Sequence, residues 1–214
     1  FKLRDAMLQL RPYQKPTLPV AVASVQSPAG VLLAGKHGAS VISLCVPRDS
    51  VRSTSLKDQW EIAEKEAAEH GKTVRREDWR LSVGCHLAET REQAFEDIRE
   101  GAGRVVTEYT GGTNGNPIPP VPASEVVDYM VEHNQWIVGT PDDCVAGIER
   151  LQEASGGFGG LLLRAEDWAP RDKLHHSYEL MARYVMPQFQ SSLTGIVESN
   201  QRSASMKEAR QANR

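Results

Sequence analysis

Leu18-Pro-Val-Ala-Val-Ala-Ser-Val-Gln-Ser-Pro-Ala-Gly30 reads as a buried strand that runs directly into a helix start. Val20, Ala21, Val22 and Ala23 are small and apolar without alternation, the pattern of a strand covered on both faces in a parallel sheet. Ser27 is a favourable N-cap, and Pro28 at the first helical position gives up an N–H that would lack a partner anyway. Ala29 and Gly30 leave the first turn open to a close visitor. No acidic side chain occurs between Asp5 and Asp49. Free backbone N–H groups, a cap hydroxyl and the positive end of a helix dipole together suit a phosphate. The same residues also make an ordinary capped helix start, and the stretch alone leaves both readings open. Thr140-Pro141 opens a helix in the same way, but Asp142 and Asp143 follow it and already complement the dipole.

Outward from that stretch, strands and helices alternate. The Ser27 helix carries Val31, Leu32, Leu33 and Ala34 to a stop near Gly38, and Ala39 to Cys45 is a second buried strand. Ser55 caps an amphipathic helix with Leu56, Trp60, Ile62, Ala63 and Ala67, which ends at His70-Gly71. Trp79 to Leu87 is a third strand, and Thr90-Arg-Glu-Gln93 is a capping box for a helix running toward Val106. Thr110 to Pro122 is dominated by Gly, Asn and Pro, so it is expected to be irregular, as lids and binding loops are. A short helix from Ser124 to about His133, the extended Trp136 to Gly139, the Thr140 helix, the strand Leu161 to Arg164 and a final helix from Arg171 to Pro187 complete the order. Upstream, Met7 to Arg11 reads as a short strand. Four βα units define an α/β fold, half the eight of a (β/α)₈ barrel. A small doubly wound sheet would lack its glycine fingerprint, because Gly156 to Gly160 precedes a strand instead of following one.

Composition narrows the function classes. With 40% apolar and 25% charged residues the chain is an ordinary globular one, of one large domain or two small ones. A net charge of −3, with only a modest basic cluster near the C-terminus, does not imply nucleic acid. No apolar run is long enough for a membrane span, and no signal-peptide pattern opens the chain. Cys45, Cys85 and Cys144 are odd in number and far apart, which indicates neither a disulfide framework nor a zinc site and fits a reducing cytoplasm. The start at Phe1, a few residues before a strand, looks like the middle of a protein.

Ligands of α/β sheets meet the C-terminal ends of the strands. That nominates Ser24 to Ser27, Ser43 to Cys45, His86, and Arg164 to Trp168. His86 is a pocket candidate, although a hydrogen-bonded core or rim histidine is the commoner state for such a residue. Cys45 and Cys85 are pocket thiols or packing. His37, His133 and His175-His176 lack partners at ligand spacing, so no metal is expected. No Ser/His/Asp arrangement announces a hydrolase.

Six blocks carry a family resemblance: Leu8-Gln-Leu-Arg-Pro-Tyr-Gln-Lys-Pro16, Val20 to Gly30, Leu33-Ala-Gly-Lys-His-Gly38, Val138-Gly-Thr-Pro-Asp-Asp143, Gly156-Gly-Phe-Gly-Gly-Leu-Leu-Leu163 and Tyr178-Glu-Leu-Met-Ala-Arg-Tyr-Val-Met-Pro187. As an ordered set they resemble the luciferase-like flavin-dependent monooxygenases, most closely the limonene- and alkanal-monooxygenase-like group. The resemblance implies a (β/α)₈ barrel that binds reduced flavin, FMN or FAD, at the C-terminal strand ends. This chain would be its C-terminal half over residues 1–189, with a lid-like insertion at 110–123 and a polar tail at 190–214. Gln26, Ser27 and Gly30 fall on the positions that hold the flavin phosphate in the family. The N–H groups of Ala29 and Gly30 would help, while Ser43 and Leu44 would lie beside the isoalloxazine. No catalytic residue carries over, because the half that supplies the family's catalytic histidine has no counterpart here. The implied reaction is insertion of one atom of O₂ into a small apolar substrate, with a flavin reductase as supplier. Two open sheet edges imply a homo-oligomer or pairing with the other barrel half. The rivals are a deazaflavin-dependent dehydrogenase of the same superfamily and a non-catalytic flavin-binding module.

Overall fold

In the computed structural model the described residues are 18–25, 27–44, 54–113, 115 and 118–190, with 4, 10, 12–15 and 202 as short or single stretches. The strand expected at Met7 to Arg11 and the tail beyond residue 190 therefore lie outside them, apart from single positions, as do Gln26 and Cys45. The chain divides into two units, Phe1–Ser82 with Ala154–Leu162, and Val83–Glu153 with Leu163–Arg214. No helix among the described residues is long and apolar enough to cross a membrane. The architecture is α/β, with parallel strands and intervening helices.

In the first unit, β1 (Ala21–Ser24) pairs in parallel with β2 (Ser40–Leu44), from Ala21↔Ser40 to Ser24↔Ser43. The first residues of β3 (Arg80–Leu87) continue the ladder, from Ile42↔Arg80 to Leu44↔Ser82. This register sets Ser24, Val41, Ser43 and Leu81 on one face, where all four are buried. Helices α1 (Ala29–His37) and α2 (Leu56–Glu69) cover that face. Ala21 and Ala23, on the opposite face, are exposed. The expectation of a β1 covered on both sides is thus corrected: its small residues suit burial, but only one side carries helices among the described residues. Gly38 ends α1 at φ +63°, the left-handed cap that glycine adopts without strain. Ser55 caps α2 by accepting the Asp58 N–H at 3.1 Å. Trp60 of α2 stacks on Trp79 with ring centroids 5.0 Å apart, and the Arg76 guanidinium lies 4.9 Å over Trp60. Arg76 also donates to the carbonyls of Ser155 and Gly157, at 2.9 and 2.8 Å. The start of β5 (Gly160–Arg164) belongs here, and the preceding Gly159 N–H donates to the Trp79 carbonyl at 3.0 Å.

In the second unit, the end of β3 pairs in parallel with β4 (Trp136–Gly139), from Gly84↔Trp136 to Leu87↔Gly139. One face of this pair meets α3 (Arg91–Arg104) and α4 (Val126–Glu132) in a core of Phe95, Ile98, Val127, Met130, Trp136 and Trp168. Gly84 makes room for two indoles, since a Cβ there would lie 2.8 Å from the Trp136 ring and 3.0 Å from that of Trp168. The other face meets α5 (Pro141–Ser155), where Ile137 packs on Gly147. Thr140 and Asp143 form a reciprocal capping box: the Asp143 N–H donates to Thr140 Oγ1 at 3.2 Å, and the Thr140 N–H to Asp143 Oδ2 at 2.9 Å. The box at Thr90 is half made, because the Gln93 side chain turns to Asp97.

Two expectations from periodicity change here. Residues 110–113, expected to be irregular, belong to a wide π-type helical run over Val105–Thr113. Its threonines stitch it: Thr110 Oγ1 donates to the Val105 carbonyl at 3.3 Å and Thr113 Oγ1 to that of Glu108 at 3.2 Å. The final helix is α6 (Arg171–Leu180), a π-type turn (Met181–Val185) and α7 (Met186–Phe189). Pro187 has no N–H and would clash with the Arg183 carbonyl in a regular α-turn, which accounts for the widened turn before it.

Candidate functional site

Strand β1 ends at Ser24, and five residues later the chain enters α1 with no acidic side chain in its first turn. The expected cap is corrected. Pro28, at φ −71° and ψ −5°, flanks the helix and supplies no side-chain cap bond. Ser27 is exposed. Gly30 has a different role from the open turn expected. A Cβ there would come within 2.5 Å of the Ala23 carbonyl and 3.1 Å of Ser24 Cα, so glycine lets α1 lie directly on β1. Ser24 beneath it is buried, and its hydroxyl has no hydrogen-bond partner among the described residues. A buried, unspent hydroxyl beside a helix start free of acid is chemically fitted to an anion.

Ser43 is corrected in its direction. Its hydroxyl donates to Gln59 Oε1 at 2.7 Å and accepts the Trp79 indole N–H at 2.9 Å, on the face covered by α2. Gln59 in turn donates to the Thr54 carbonyl at 3.2 Å and the Val25 carbonyl at 3.4 Å. The Ser43 side chain is therefore part of the scaffold of the strand end. Leu44 is half-buried on the opposite face. Sequence reading missed Gln59 because its place on an amphipathic helix looks like any polar position, and only the fold brings it under Ser43.

In the second unit, His86 is fully buried, with Nε2 3.4 Å from Asp97 Oδ2 and Nδ1 without a partner among the described residues. Asp97 also receives Gln93 and lies 3.6 Å from Lys173 Nζ. A groove of about 810 Å³ runs between α3 and residues 167–173; Asp97, Arg104, Trp168 and Lys173 line it, and His86 sits outside its lining. Among the described residues no group of three or more His, Cys, Asp and Glu gathers as a metal site.

Burial pushes the His86 pKa below its ordinary 6.5; Asp97 pulls it up, while Lys173 and His176 add to the depression. The folded chain thus refuses a proton that the unfolded chain accepts, so this stability is complete above about pH 6.5 and drains away as pH falls through the folded value. His86→Gln is expected to flatten that acid limb. The check is the urea midpoint of both proteins at about pH 5 and about pH 7.5; equal losses in the two would refute the assignment.

The profile of the family described as luciferase-like monooxygenase matches residues 1–156. The chain is 41% identical over 201 residues to a 4-hydroxyprotoasukamycin monooxygenase of Streptomyces nodosus subsp. asukaensis, covering 93% of this chain and 54% of that protein. It is 39% identical over 193 residues to a limonene 1,2-monooxygenase of Rhodococcus erythropolis, covering 90% of this chain and 49% of that protein. The chain therefore spans about half the length of these curated relatives. In fold it is similar to the oxygenating constituent of 3,6-diketocamphane monooxygenase of Pseudomonas putida, solved in complex with FMN. There the TM-score is 0.65 at 24% identity, covering 82% of this chain and 50% of that one. The ordered blocks, the parallel α/β architecture and a profile match over most of its length agree: the chain belongs to the luciferase-like monooxygenase family.

Proposed function

We propose that this chain is the flavin-phosphate-binding half of a (β/α)₈ monooxygenase that uses reduced flavin and O₂ to oxygenate a small apolar substrate. The observation that carries the reading is the acid-free start of α1, with the exposed Ser27 hydroxyl above it and the unspent Ser24 hydroxyl below. Ser27 and the N–H groups of Ala29 and Gly30 would hold the phosphate, with Gln26 and Leu44 completing the cofactor side. The names of the relatives support oxygenation, and the FMN of the Pseudomonas putida structure supports FMN ahead of FAD or a deazaflavin. When bound, reduced flavin supplies the electrons that activate O₂; the protein supplies anchoring, orientation and exclusion of water. In this reading the exposed side of β1, with Ala21 and Ala23, meets the other half of the barrel, from a longer parent or a second chain. A reductase feeds the flavin, the Thr110 insertion serves as lid, and the protein works in the cytoplasm.

FMN titration of the 214-residue chain, read by flavin fluorescence, tests the seat. Saturable binding is expected, and Ser27→Ala should weaken it by about 1–2 kcal/mol, roughly tenfold, without changing the melting temperature. An affinity indifferent to Ser27 would sink the phosphate assignment.

A further inference from the structure

Helix α6 continues through the widened turn into α7, and that turn decides which residues line up along the outside. In an unbroken α-helix, residues eight apart sit about 80° round the axis from each other. A π-type turn holds more residues, so positions four apart stay in line across it. The burial follows this rule. Ser177, Met181 and Val185 form one buried row, while Tyr178, Ala182 and Met186, each one residue later, form a row that is exposed throughout. Tyr178 is 41% and Met186 39% exposed, and Phe189 in the next turn widens the apolar end. Glu179 and Arg183, also exposed, make a third row on the side of the stripe away from the core. Single exposed apolar residues are ordinary, but a straight apolar row bordered by charges has the form of a helix-pairing face.

We propose that two copies of this chain pair through that row, antiparallel and related by a twofold axis at Ala182. The row is its own complement. Tyr178 of one copy would lie over Met186 of the other, and reciprocally, with the small Ala182 side chains letting the helices approach at the centre. The twofold sets the two charged rows side by side and running in opposite directions, so Glu179 of each copy comes opposite Arg183 of the other. A parallel pair would turn the charged row of one copy toward the buried row of the other, with no such match. Within its own helix Glu179 stands 3.8 Å from His176 Nδ1, a loose contact that leaves its carboxylate able to turn outward. A single helix face is smaller than the about 800 Å² per partner of a standard interface, so the pairing is weak and concentration-dependent. This inference is independent of the flavin reading and stands or falls apart from it.

Sedimentation equilibrium of the 214-residue chain over a wide concentration range is the test, with circular dichroism to match the fold of each variant. A reversible monomer–dimer equilibrium is expected. Ala182→Glu places two carboxylates together at the axis and should abolish it. Glu179→Arg should weaken it about tenfold, because symmetry turns both pairs repulsive at once. The double variant Glu179→Arg, Arg183→Glu restores both pairs and should restore the dimer. A chain that stays monomeric at every concentration would overturn the proposal and leave this face to the other barrel half. A dimer that Ala182→Glu does not disturb would also overturn it, since association would then use another surface such as the edge of β1. So would a double variant no better than Glu179→Arg alone, which would rule out the antiparallel register.

Discussion

Trp79→Ala is expected to cost about 3–5 kcal/mol, the range for deleting a fully buried large aromatic side chain. Trp79 is completely buried, stacked on Trp60 and donating to Ser43, so its loss opens a void and breaks a polar relay together. Ser43 would keep its bond to Gln59 but lose its donor, in a place where water cannot replace it. Typical domain stabilities are about 5–15 kcal/mol, so this one change removes a large share. Trp79→Phe separates the two contributions: a ring still fills most of the space, and only the indole N–H is lost, for roughly 1–2 kcal/mol. Urea denaturation followed by circular dichroism gives both numbers. A phenylalanine variant as unstable as the alanine one would show that the hydrogen bond, not the packing, dominates.

The second large effect is at Gly30. Alanine near a helix start would ordinarily be neutral or favourable, by up to about 1 kcal/mol. Here the added methyl would come within 2.5 Å of the Ala23 carbonyl and 3.1 Å of Ser24, and neither neighbour is a flexible chain end. Helix α1 must lift from β1, at a net cost of roughly 1–3 kcal/mol. Because the lift also moves Ser27 and Ala29 away from the strand end, FMN affinity should fall along with the melting temperature. Ser27→Ala, by contrast, should lower affinity alone. The pair of variants separates a seat that depends on helix placement from one that depends on a hydroxyl. A Gly30→Ala protein of unchanged stability would mean that the close approach is relaxed in solution.

Much of the fold was legible because its signals are local. Ser55, Thr90 and Thr140 mark helix starts through their own hydroxyls, and each accepts the expected N–H. Gly38 and Gly71 mark stops because the backbone there has φ of +63° and +62°. The threonine-stitched π-type run at Val105–Thr113 was not legible. Its Gly and Thr content reads as loop, and the bonds that hold it span five residues instead of four. At the candidate site, the absence of acid near Ser27 was read directly from the chain. The contact of Gly30 with Ala23, the burial of the Ser24 hydroxyl and the inward turn of Ser43 depend on neighbours supplied by other elements.

The sequence by itself determined most of the order of strands and helices, the absence of acid at the start of α1 and the family. These rest on backbone propensity, capping and charge, all decided within a few residues. The tertiary structure alone decided which hydroxyls are spent. Alternation assigns a residue to a face of a strand, but only packing says which face meets a helix. Thus Ser43 is tied to Gln59 and Trp79, and Ser24 is left without a hydrogen-bond partner among the described residues.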